Sequence, residues 1–296
     1  MSLPGESQTV PLPPPPPPVG SGGAGAKRRR WLVAVVAAWV VVLVVAVVWA
    51  VRKDPPTVPE QRPIAESLPL VEQVTGAVVA AADAPDRTVE IGALTFDQHC
   101  SITPVRGGVE AIRDVVVRVR DDQIPGALES VAAALPGQYR AEVQHNAGNT
   151  RFALHADAGD FVGIDASVEG TATAITLEVS TGCRPRSSGV DYAPAPVVPP
   201  ASEVPAAFLG ALKALGAEQK YTVTEATCPS GRTARTFTAE GIKVSGDPGW
   251  ALGDVAGGEV VIRADPHEWA YRVKEVSLVV TEGDGVARVS ATVGCR

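Results

Sequence analysis

The chain has 296 residues, 33 acidic against 26 basic side chains and a formal charge of −7, and 45% of its residues are hydrophobic but only 5% aromatic. Residues 1–53 hold six bases against Glu6, about +5, so residues 54–296 carry about −12. That acidity opposes nucleic acid and anionic headgroups, which leaves no nucleic-acid partner in the reading, and the segment is long enough for one large domain or two small ones.

Residues 1–30 open with low complexity: Pro11 and the run Pro13–Pro18, then Gly, Ser and Ala, then Lys27, Arg28, Arg29 and Arg30. Proline at this density favours an extended, solvated chain that buries no core, so the segment reads as a disordered cytoplasmic tail. Docking of the proline run on an aromatic groove is the functional alternative.

Trp31–Val51 follows, twenty-one residues with no charge. As a helix it measures roughly 31 Å, enough to cross the hydrocarbon core of a bilayer. Four bases precede it and two, Arg52 and Lys53, follow. That bias favours a cytoplasmic N-terminus and extracytoplasmic remainder. The alternative, a cleaved signal peptide, fits poorly: the apolar core is too long, and Val48-Trp49-Ala50-Val51-Arg52 lacks an A-x-A-like site. The lipobox-like text Ser180-Thr181-Gly182-Cys183 lies far from any N-terminal apolar segment and is set aside.

Residues 52–65 form a Pro-rich stalk. Residues 66–184 and 202–296 then read as two α+β units, separated by a Pro-rich linker over 185–201. Apolar residues at helical spacing predict helices over 69–82, 125–135 and 205–215. Asp122 and Ser202 are the expected N-caps, and Gly137 and Gly216 the expected stops. The text Asp122-Gln123-Ile124-Pro125 parallels Ser202-Glu203-Val204-Pro205, which suggests an internal duplication. The rest reads as strands: 88–96, 109–119, 139–144, 151–156, 163–168 and 172–180, then 221–227, 233–239, 259–264, 271–280 and 286–293. Asn146–Asn149 and Glu282–Gly285 are the expected hairpin turns.

The four cysteines fall in a doubled frame. Cys100 and Cys228 each follow the first strand of a unit, and Cys183 and Cys295 each close its last strand in a Gly-Cys-Arg text. An even count outside the cytosol favours disulfides. The frame selects Cys100–Cys183 and Cys228–Cys295 among three connectivities. Loops of 83 and 67 residues make each bridge worth about 4–5 kcal/mol in the loop-entropy account.

Chemistry is sparse. No nucleophile-elbow, P-loop, dinucleotide or zinc-protease text occurs. His145 and His155 flank the Asn146–Asn149 turn and are expected close together, as half-exposed strand histidines or as a weak pH or metal response. Asp157, Asp160 and Asp165 cluster about a glycine turn but lack EF-hand spacing, so no metal or cofactor is inferred. Trp250 and Trp269, the tryptophans outside the apolar run, either fill the core of the second unit or form a binding patch.

A basic patch, a Val/Ala-rich span, a Pro-rich stalk and strands ending in Thr-Gly-Cys-Arg-like text, in a chain with Arg over Lys, together resemble uncharacterised actinobacterial single-pass membrane proteins with an extracytoplasmic disulfide-bonded domain. The resemblance implies location and no chemistry. The function expected is an envelope-anchored binding or accessory module, meeting the lipid bilayer and an envelope protein or cell-wall partner, and more a binder than an enzyme. The alternatives are an envelope hydrolase with an unrecognised site and a single-pass surface sensor.

Overall fold

A computed structural model describes residues 24–53, 62–194, 203–244, 247–253, 255 and 259–295. The proline tail, most of the stalk, Pro196, Pro199, Pro200 and the Ser202 cap lie outside these residues.

The chain divides into two units, residues 1–55 and 56–296. In the first, helix α1 (Ala24–Lys53) contains the apolar stretch Arg29–Trp49, long and apolar enough to cross a membrane and with none of it buried. Helix α2 (Ile64–Ala82) of the second unit passes the same length and composition test, but more than half of it is buried. It is a core helix. It begins earlier than the apolar spacing predicts and carries Pro69 inside it. Its extra first turn is held because Ile64 is wholly buried beside Val109 and Ala111 and its N–H donates to the Pro185 carbonyl.

The second unit is α+β and built on two six-stranded antiparallel sheets. The first comprises β1 (Thr88–Asp97), β4 (Glu110–Arg118), β5 (Glu142–His145), β6 (Arg151–Asp157), β7 (Gly163–Glu169) and β8 (Ala174–Ser180), with helix α3 (Ile124–Ala134) between β4 and β5. A small hairpin of β2 (Ser101–Thr103) and β3 (Arg106–Gly107) interrupts it; neither strand was expected from the pattern. The second comprises β9 (Thr222–Thr227), β10 (Thr233–Lys243), β11 (Val260–Asp265), β12 (Glu268–Val273), β13 (Val276–Gly283) and β14 (Val286–Val293). Helix α4 (Ala206–Ala214) precedes it and the short α5 (Gly249–Leu252) follows β10.

Spatial orders are β5-β6-β7-β8-β4-β1 and β11-β12-β13-β14-β10-β9. Setting the β2–β3 hairpin aside and counting strands within each half, the two orders are the same: third, fourth, fifth, sixth, second, first. Each half also begins with a helix and inserts another after its second sheet strand.

Three local expectations are corrected. Asp122 does not cap α3: it sits at φ +60°, and Gln123 occupies the cap position without a side-chain hydrogen bond. Gly137 is not the stop of α3: the helix ends at Ala134, next to the expected end at 135, because Leu135 precedes Pro136 and is pushed out of helical conformation. The expected strand 271–280 is two strands, β12 and β13, joined by a turn at Lys274-Glu275 that no glycine, asparagine or proline announces. Gly216 does follow α4 in the left-handed conformation, and Asp284-Gly285 closes the last hairpin with both residues at positive φ.

The halves meet at a polar seam. The row Ser277–Thr292–Thr236–Thr224 crosses the second sheet on adjacent strands. The free edge of β1 lands on it. The Val89 and Ile91 N–H groups donate to Ser277 Oγ and Thr236 Oγ1 at 3.0 and 2.9 Å, and Thr224 Oγ1 donates to the Ile91 carbonyl at 2.8 Å. An otherwise orphaned sheet edge is thereby satisfied. Short hydroxyl side chains let the backbone approach. Gly76 of α2 does the same, since a Cβ there would enter the Thr227 carbonyl. Buried arginines complete the seam: Arg272 pairs with Asp83 at 2.9 Å, and Arg113 reaches Glu72 and the Glu225 carbonyl at 2.9 and 2.6 Å.

Candidate functional site

Two disulfides join Cys100 to Cys183 and Cys228 to Cys295, the pairing read from the doubled frame. Together with the apolar N-terminal helix they mark a single-pass membrane or secreted protein whose disulfide-bearing part lies on the oxidising side. The bridges sit differently. Cys228 and Cys295 are buried, against the Gly76 carbonyl, whereas Cys100 and Cys183 are part-exposed.

The first sheet buries one face and opens the other. On β6, Phe152, Leu154 and Ala156 point into the core, while Arg151, Ala153, His155 and Asp157 point outward. The same alternation runs through β7 and β8. On the open face the register aligns a row across five strands: Glu142 opposite His155, His155 opposite Asp165, Asp165 opposite Glu178, and Glu178 opposite Asp114. Three carboxylates therefore stand on neighbouring strands, an arrangement that disfavours the sheet. Burial raises the Glu178 pKa, with Asp114, Glu110 and Asp165 adding repulsion, and burial raises that of Asp114. His155 Nδ1 lies 2.5 Å from Asp165 Oδ1, and this bond holds the imidazole pKa above its ordinary value.

Beside the row, a cavity of about 340 Å³ is lined by His155–Asp157 and Asp160–Gly163. Its wall is the tight turn between β6 and β7. Asp160 and Phe161 both have positive φ, at 49° and 56°, and Phe161 is 55% exposed. A bulky residue in that region is a conformational outlier. The turn is held by the Val162 N–H on the Gly159 carbonyl and by the guanidinium of buried Arg184, which donates to the Asp160 carbonyl. Arg184 follows Cys183, so the first disulfide and this turn are mechanically linked.

The residues singled out from sequence distribute as follows. Asp157 and Asp160 line the cavity and Asp165 belongs to the row, but among the described residues no group of three or more ligands is placed to hold a metal ion. His145 and His155 do not meet. The register sets His145 opposite Phe152 and His155 opposite Glu142, so they lie three pairs apart and on opposite faces. Trp269 is half-buried against the second core, its ring on Gly249 where a Cβ would collide with it. Trp250, 89% exposed, projects from α5. The acidic row escaped sequence reading because its members are spread from residue 114 to 178. Alternation placed each on an outer face, but only register made them neighbours.

No family model matches the chain, and the curated proteins contain no match. Among solved structures, the chain is similar to a DUF4853 family protein from Actinomyces odontolyticus, at 16% identity over 61% of this chain and 95% of that one, with a TM-score of 0.34. A likeness of that size carries no argument about function.

Proposed function

We propose that the protein is a membrane-anchored, extracytoplasmic binding or accessory module of the cell envelope, with its N-terminus in the cytoplasm. Its mechanism is tethering: α1 confines the disulfide-bonded unit near the membrane and raises its effective concentration toward an envelope partner. The observation that carries this reading is the uncovered face of the first sheet along β6, β7 and β8, in a unit whose second sheet is buried on both faces along its central strands β13 and β14. The shared strand order and the doubled cysteine frame support an origin of the halves by internal duplication.

Two measurements test the reading. A reporter active only outside the cytosol, fused after the last residue, should be active; activity of a cytosol-only reporter would reverse the orientation. A photo-crosslinking residue at Ala153, on the open face, should capture an envelope or membrane partner in living cells. Its absence there, with crosslinks only elsewhere on the unit, would move the binding surface off this sheet.

A further inference from the structure

The matching strand orders allow the two sheets to be compared position by position. Aligning the Gly-Cys text that ends each half makes Ser180 equivalent to Thr292 and Glu178 to Ser290. The registers then make Asp165 equivalent to Val279, His155 to Ala270 and Asp114 to Thr238. In the second half this face is covered by the first half: β1 lies along it, and Val279, Ala270 and Ile262 form a small buried apolar cluster. In the first half the equivalent face is open, and the equivalent row is charged.

We infer that the open face of the first sheet is a docking site for a cationic segment of a partner protein, an extended stretch rich in lysine or arginine, seated across Asp114, Glu178 and Asp165. This rests on the reading of the unit as a binding module and adds the partner's chemistry. Three arguments carry it. The equivalent face of the second sheet already receives a polypeptide edge, so this surface of the fold can seat one. The row Glu142–His155–Asp165–Glu178–Asp114 spans about 19 Å at the strand spacing, the reach of about six extended residues. Finally, its charge is unanswered by arginine. At the seam Glu90 is bound by Arg118 and Arg288 and Asp83 by Arg272, whereas Glu178 faces two further carboxylates. A cationic occupant relieves that repulsion, and a second copy, with its own acidic exterior, adds to it. The exposed Phe161 ring beside the row offers a face for a lysine or arginine head.

The test uses the full chain in neutral detergent and fluorescein-labelled hexalysine, read by anisotropy. Saturable binding that weakens with salt is expected, with none for hexaglutamate. Asp165→Asn combined with Glu178→Gln should weaken it by about tenfold or more, while Glu275→Gln with Asp284→Asn, removing the same charge from exposed turns of the second sheet, should leave it unchanged. Thermal melts of both double variants confirm folding. Equal loss in the two double variants, or no loss in either, overturns the proposal. So does concentration-dependent self-association abolished by Asp165→Asn/Glu178→Gln, which assigns the face to a second copy. If hexalysine fails to bind but the Ala153 crosslinker captures an envelope protein, the charge selection falls and the binding module stands. If both fail, the binding reading of this face falls as well.

Discussion

The two halves of the disulfide-bonded unit share a strand order and differ in what covers them. Strands of the first sheet alternate buried and exposed residues, as β7 and β8 do. In the second, the central strands β13 and β14 are buried on both faces for most of their length, while the outer strands β9 and β11 keep exposed residues. The same topology thus uses carboxylates and a histidine where water lies opposite, and valine, alanine, serine and threonine where the first half lies opposite. The lesson is that an outer-face residue reports its cover rather than the fold.

The largest effect should come from closing the approach that seals the second sheet. Gly76→Val drives a side chain into backbone at Thr227, and more than about 3 kcal/mol of stability should be lost. Gly126→Ala, in a helix with open space around it, should instead gain about 0.5–1 kcal/mol. Thermal denaturation of the full chain in detergent checks both, and equal melting temperatures would refute the seam.

Next come the charges. Arg272→Met leaves Asp83 buried without its partner, at an expected cost of about 3–5 kcal/mol. Arg151→Ala breaks the exposed pair with Glu169 on the open sheet and should cost under about 1 kcal/mol. Denaturant titration of the two variants measures the contrast directly.

The disulfides extend the comparison to kinetics. Thiol attack needs access. Graded reductant followed by alkylation and peptide mapping should therefore label Cys100 and Cys183 first, and Cys228 and Cys295 only as the unit unfolds. Simultaneous labelling would mean that the seam opens as readily as the free face.

The smallest effect is in pH. The pKa of His155 is raised in the fold by Asp165, so its contribution is complete below the ordinary value of 6.5 and is lost as pH climbs through the folded value. Glu178 is also raised, chiefly by burial, so its penalty is absent below 4.5 and sets in as pH rises through its folded value. Both signs make the open sheet tighter on the acid side. Because the groups are largely exposed, each is worth under about 1 kcal/mol. Side-chain NMR titration should show the His155 midpoint falling in Asp165→Asn; no movement would sink the pairing.

Much of the secondary structure was legible because its causes are local. Period-two alternation marked most strands, the glycines at 216 and 285 marked a helix end and a hairpin, and the apolar spacing of Leu128 and Val131 marked α3. The failures were also specific. Lys274-Glu275 turns without a turn residue because β12 and β13 pair strongly on either side. Ile64 extends α2 because a distant pocket buries it. His145 and His155 flank one loop, yet parity along paired strands sends them to opposite faces.

By itself the sequence determined the apolar helix, the compartment its cysteines imply, the pairing of those cysteines and which residues share a strand face, since each depends on composition, doubled spacing or a period of two. Only the tertiary structure decided what each face meets. Register joins residues far apart in the chain, and cover depends on where another sheet's edge comes to rest. Asp114, Asp165 and Glu178 became neighbours in one row, and Ala270 and Val279 became interior, through packing that no local pattern encodes.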